Sequence, residues 1–224
     1  MVLPLCLCLA IQVQTFLVKD ASPRYSVKIE VTPGALKSDD PDVVQGPGVV
    51  TVMLKGTGKI LQRVRLPHLA VFKSQMVASV VVGGKQPSHY DDNYSFVFQD
   101  FDFDGHQDLA ICNGTNSGYG LPSYDVFLFS PRVGRFVASR ALSKLAQEHL
   151  GLFNVDAKGR RLVVYDKDGA AWHETSFYSM KTRRPVLVET VTQDDRGSEE
   201  VVTTSVRVGG KWRVKVKKGP IPKD

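Results

Sequence analysis

The sequence predicts a mainly β protein, with antiparallel sheets in a propeller-like or sandwich arrangement, one short helix and a calcium-binding loop. Valine is abundant and aromatics recur at short intervals. Turn residues interrupt the chain about every ten positions, the spacing of short strands. One segment alone carries a helical period. The chain has 224 residues, 42% of them hydrophobic, enough for one core of ordinary size, so we expect a single β domain over residues 21–224.

Residues 1–20 are expected to form an export signal. Up to Val18 they are apolar apart from Gln12, Gln14 and Thr15, although no basic residue precedes the apolar run. The same run would also serve as an N-terminal core strand. It is too short and too polar for a stable membrane span. Removing it takes Cys6 and Cys8 away and leaves Cys112, which excludes a disulfide scaffold and a Cys-based zinc site. Cys112 follows Leu109, Ala110 and Ile111 and reads as a buried core thiol.

Residues 25–31 alternate apolar and polar, as a half-buried strand does. Residues 32–47 are rich in Pro, Gly and Asp and read as a loop. Strands follow at 49–54, 60–72 and 76–82, with Pro67-His68 marking a break in the second. Residues 94–98 lead into an acidic loop and 109–112 leave it. Residues 113–123 are uncharged and Gly-rich, an irregular loop before a strand at 124–129. Residues 139–150 are the helix, since Leu142, Leu145 and Ala146 share a face and Gly151 stops it. Residues 162–180 form a hairpin turning at Asp168-Gly169. A strand at 186–192 precedes a last hairpin, 201–216, turning at Gly209-Gly210.

The net charge of +6 is unevenly placed. Residues 86–131 hold seven Asp and no Lys or Arg, a charge of −7 that leaves +13 elsewhere. The basic residues are spread over many strands and turns, which argues against nucleic-acid binding and for an acidic protein or anionic glycan as partner.

In Asp100-Phe-Asp102-Phe-Asp104-Gly105-His106-Gln107-Asp108, counted from Asp100, carboxylates fall at positions one, three, five and nine and glycine at six. A hard cation needs six to eight oxygens, and alternate residues of a tightening loop turn carboxylates toward it. His106, at position seven, would offer its backbone carbonyl, and Gly105 permits the sharp turn. At an effective dielectric near 20, carboxylates roughly 4 Å apart repel by about 4 kcal/mol per pair. No Lys or Arg nearby in sequence relieves this, so Ca2+ is the expected cofactor, with Asp100, Asp102, Asp104, His106 and Asp108 as ligands. Position twelve is Ile111 rather than Glu, which points to a structural ion and not a switch.

No catalytic set emerges. None of the five His has zinc-ligand spacing to another, and no Gly-x-Ser-x-Gly elbow occurs. His173 and Glu174 would point to opposite faces of a strand. Gly118-Tyr-Gly120 lacks the βαβ setting of a dinucleotide site. We expect a non-enzyme. Tyr119 and Tyr124, in or beside the Gly-rich loop, suit a partner's cleft through large area and a polar tip, or pack against the domain itself.

The run over residues 100–129 resembles a family of exported bacterial proteins, as does Gly169-Ala-Ala-Trp-His-Glu-Thr175. That family includes immunity proteins of xanthomonad type IV secretion systems, which inhibit lysozyme-like peptidoglycan hydrolases in the periplasm. The resemblance spans residues 94–189. It implies an all-β fold with bound calcium, and a tyrosine from a Gly-containing loop entering the active site of a lysozyme-like glycoside hydrolase effector. Tyr124 matches that tyrosine best and Tyr119 second, with Gly120 and Ser123 beside them; Leu121 stands where Gly is expected before Pro122. The resulting expectation is a calcium-stabilised periplasmic inhibitor, monomeric before complex formation, whose ion supports the base of the loop over residues 113–124. The alternative, an integrin-like calcium-binding adhesion module, calls for repeated acidic loops, and this chain has one full copy.

Overall fold

In the computed structural model, residues 12–34, 40–74, 76–78 and 94–221 are described, and their strands form three sheets in chain order. The first holds β1 (Gln14–Val18), β2 (Tyr25–Val31), β3 (Val43–Leu54) and β4 (Ile60–Phe72). The second holds β5 (Val77–Ala78), β6 (Phe96–Gln99), β7 (Asp108–Gly114), β8 (Ser123–Ser130) and β9 (Arg135–Ala138). Helix α1 (Arg140–Glu148) then leads to the third, with β10 (Asn154–Asp156), β11 (Arg161–Lys167), β12 (Trp172–Lys181), β13 (Arg184–Asp194), β14 (Glu200–Val208) and β15 (Lys211–Gly219). Every neighbour pairing is antiparallel except β5 with β6. None of the sheets closes into a barrel, and a sandwich-like arrangement fits.

The second sheet is the middle layer. Phe96, Phe98, Leu109, Ile111, Phe127 and Phe136 share one core with Val27, Ile29, Val50, Val52 and Val64 of the first sheet. Val97, Ala110, Cys112, Tyr124, Val126 and Leu128 share the other with Leu142, Leu145 and Ala146 of α1 and Leu162 and Val164 of β11. A strand covered on both faces has no polar side, so β6, β7 and β8 each carry a continuous apolar run, at 96–98, 109–112 and 126–129. β2 is covered on one face and alternates buried with half-buried residues. Tyr25, Phe98 and Phe136 meet at ring separations of 5.4–6.3 Å where these layers touch. The Gln62 amide bonds both backbone groups of Phe136, tying β4 to β9.

The helix buries the three residues that the periodicity predicts, and the Ser143 hydroxyl accepts the Val126 N–H, fastening α1 to β8. Both predicted hairpins form. Residues 43–47 differ from expectation, since they open β3 rather than ending a loop. Their register shifts between Gly46 and Gly48, where Pro47 faces the unpaired Pro67-His68 of β4. Prolines have no N–H for the ladder, and a bulge accommodates both. β1 places residues 14–18, the tail of the expected export signal, on the edge of the first sheet, paired with β2. β9 and β10 were not evident in the sequence, being four and three residues long. Of the strand expected at 76–82, Val77–Ala78 is described and residues 79–82 lie outside the described residues.

Phe98→Ala is expected to lower stability by about 3–5 kcal/mol through the cavity it leaves. Ile60→Ala, at an exposed position, should change it by less than about 0.5 kcal/mol. Urea unfolding of the two variants checks this contrast.

Candidate functional site

The acidic loop joins β6 to β7, and Asp108 is the first residue of β7. Asp108 is fully buried. Its two oxygens accept the N–H groups of Phe101 and Phe129, each at 2.7 Å. One carboxylate therefore fastens the loop to β8. Asp100 accepts the N–H groups of Asp104 at 3.1 Å and Gly105 at 2.9 Å, closing the turn. Gly105 has φ +87°, a conformation that glycine takes without steric penalty.

Asp100, Asp102 and Asp108 each bring one carboxylate oxygen within 4.8 Å of the others, and these three residues could hold a metal ion. The Asp102 side chain is only 4% exposed. Its Oδ1 is buried without a hydrogen-bond partner, as is Oε1 of Gln107. Orphaned buried oxygens are rare and costly, and an all-oxygen donor set suits a hard cation. Burial pushes the Asp108 carboxyl up to about 8, aided by the charges of Asp102 and Asp100 and opposed by the N–H bonds from Phe129 and Phe101. Burial, then the charge of Asp104, also raises Asp102. A bound cation would reverse both effects.

Two sequence expectations change. Asp104 stands apart from the cluster, its Oδ1 accepting the His106 N–H at 2.9 Å and lying 3.1 Å from the His106 ring Nδ1. That ring stacks on Phe129. The absence of basic neighbours holds in sequence but not in space. Arg183 sits with Nε 3.2 Å from Asp102 Oδ2 and donates to the Phe129 carbonyl, while Arg160 donates to the Phe103 carbonyl. Arg183 belongs to the two-residue turn between β12 and β13, where Thr182 and Arg183 both have positive φ, +50° and +62°. A β-branched residue there is strained, and the turn aims Arg183 at the acidic loop.

The two tyrosines differ in exposure. Tyr124 is 4% exposed, lies in the core beside α1 and donates its hydroxyl hydrogen to the Tyr94 carbonyl. β8 turns it inward because its register neighbour Cys112 faces the same core. Ser123 is buried as well, donating to Asn113 Oδ1 at 2.6 Å and accepting the Asn116 N–H. Tyr119 is 62% exposed, and its neighbour Gly120 is exposed too. Tyr119 and Gly120 hold positive φ, +57° and +70°, within a 3-10 turn (Gly118–Gly120). Three contacts brace this tip. The Gly118 N–H reaches the His149 carbonyl, the Gly169 N–H reaches the Tyr119 hydroxyl oxygen at 3.0 Å, and Lys167 Nζ lies 4.6 Å from the Tyr119 ring centre. The acidic loop and the tyrosine loop leave β7 at opposite ends. Seven strand residues separate those ends by about 20 Å, so contacts from the β11–β12 turn and His149, not the acidic cluster, support the base of the tyrosine loop.

No family model and no curated protein matches the chain. A solved structure described as a Xanthomonas type IV secretion system related protein has the same fold, with a TM-score of 0.68 and 23% identity over 84% of this chain and 88% of that one.

With chelator present, stability should fall as pH rises. The folded Asp108 carboxyl titrates near 8, above its ordinary 3.8, so the folded state binds the extra proton between those values. The contribution is complete below 3.8 and lost as pH passes through about 8. Urea midpoints across that range should show the decline, and Asp108→Asn should flatten it.

Proposed function

We propose that the protein is a calcium-stabilised periplasmic immunity protein that blocks the cleft of a lysozyme-like peptidoglycan hydrolase with Tyr119. The observation carrying this reading is an exposed tyrosine held rigid at the tip of an uncharged loop. Large aromatic side chains fixed before binding lose little entropy on docking and serve as interface anchors. The Tyr119 hydroxyl oxygen already accepts the Gly169 N–H, and its own hydrogen remains for an acceptor. Glycoside hydrolases of this kind present carboxylates at the scissile bond. A phenol donated to one of them competes with substrate and does no chemistry. Lys167, stacked on the same ring, adds a positive charge where such an enzyme is acidic. The likeness in fold to a secretion-related protein supports the same class.

Asp100, Asp102 and Asp108 would hold the calcium, which supplies the positive charge that their buried oxygens lack. Its effect is on stability, since the acidic cluster and Tyr119 lie off opposite ends of β7.

Calcium is expected to raise the melting temperature of chelator-stripped protein, and Asp102→Ala to abolish that rise; a calorimetric titration without binding would refute the calcium assignment. In a peptidoglycan-clearing assay with the cognate hydrolase, Tyr119→Ala should weaken inhibition roughly thirty-fold or more, as loss of an interface anchor does. Tyr124→Phe should leave inhibition intact and cost about 1 kcal/mol of stability through its lost hydrogen bond. Full inhibition by Tyr119→Ala rejects the tyrosine's role.

A further inference from the structure

The last strand carries a surface that Tyr119 and the acidic loop do not use. β15 ends the third sheet, so one row of its backbone N–H and C=O groups has no strand beside it among the described residues. Trp212, Val214 and Val216 alternate along it and therefore share one face, at 46%, 62% and 52% exposure. Lys211, Arg213, Lys215 and Lys217 occupy the opposite face, with Lys218 next in sequence. Across the ladder this basic row meets Val208, Val206, Thr204 and Val202, none of them acidic. Among the described residues none of these five cations forms an ion pair.

Lysines on an edge strand commonly block self-pairing. That need explains the basic row, but a merely blocked edge has no use for an exposed Trp and two exposed Val beside it. Other described edges differ: β1 exposes Leu17 and β9 exposes Val137, each the single large exposed apolar residue of its strand.

We infer that β15 takes an extended segment of a partner protein as a seventh strand, and that this segment alternates apolar with acidic residues. An added antiparallel or parallel strand pairs with the open backbone row and sends alternate side chains to the two faces. Its apolar residues then lie beside Trp212, Val214 and Val216, and its carboxylates beside Lys211, Arg213, Lys215 and Lys217. A second copy of β15 would set cation against cation across the new ladder, which is destabilising. An anionic membrane would meet either the apolar row or the basic row, because they face opposite sides of the sheet. An alternating acidic strand satisfies both rows and the backbone at once. The inference is independent of the Tyr119 reading, since β12, β13 and β14 lie between β15 and the β11 strand that braces that tip.

The test uses the full chain and a short soluble peptide alternating valine and glutamate. Binding is followed by tryptophan fluorescence and by amide hydrogen exchange over residues 211–218. The peptide should bind, protect those amides and weaken with added salt. R213E/K215E should reduce affinity about tenfold or more while keeping the wild-type melting temperature, because both side chains are exposed. Four results would each overturn the inference: no binding of the peptide, equal binding by R213E/K215E, equal binding of a valine–lysine peptide, or amides at 211–218 that stay unprotected in the complex. So would a dimer in sedimentation that protects the amides at 211–218 without peptide, or binding of phosphatidylglycerol vesicles in preference to the peptide.

Discussion

A carboxylate without solvent contact costs several kcal/mol unless it is paired or hydrogen-bonded, and Asp108 occupies such a place at the head of β7. Its two oxygens are each engaged by a backbone N–H, one from the acidic loop and one from β8. Those bonds hold three pieces of chain in one arrangement before any ion is considered. They do not offset the cost of burial, which with the neighbouring carboxylates raises the titration of both Asp102 and Asp108. Positive charge is the remaining requirement. Arg183 supplies part of it from a strained hairpin turn, and it reaches Oδ2 of Asp102 while Oδ1 stays without a partner. The same requirement makes a cation at this position physically reasonable.

The middle sheet transmits this constraint. β7 is buried on both faces, so it cannot shift without disturbing two cores. At one end it carries the acidic cluster and at the other the loop with Tyr119. The two are thus joined by a stiff element but supported separately. The tyrosine loop depends on its neighbours from the third sheet and the end of α1, through Gly169, Lys167 and the His149 carbonyl. Under the proposed function, stability and partner contact fall to different loops of one strand.

Charge follows the same division of labour. The carboxylates gather at one loop where they can share one cation, and a row of basic residues with no ion pair among the described residues lines the edge strand β15, whose side chains join neither core. β13, β14 and β15 carry few buried side chains, and their stability comes from backbone pairing and from cross-strand neighbours. A sheet that runs past its own core leaves surface available on both faces.

Local pattern alone determined a good deal. The continuous apolar runs, the alternation of residues 25–31, the Gly turn of the last hairpin and the apolar stripe of α1 follow from side-chain period and turn geometry, which are properties of neighbouring residues. The spacing of Asp100, Asp102 and Asp108 about Gly105 belongs with them. Tertiary structure decided the rest. Arg183 lies far along the chain from Asp102, and no periodicity links them. Tyr119 and Tyr124 are alike in sequence setting, yet β8 pairing turns one into the core and leaves the other at a tip. The strands β9 and β10 are too short to show a period and form because longer neighbours offer them an open edge. The basic and apolar rows of β15 were present in the sequence as ordinary alternation, and only its place at the end of a sheet leaves both rows and one backbone edge exposed.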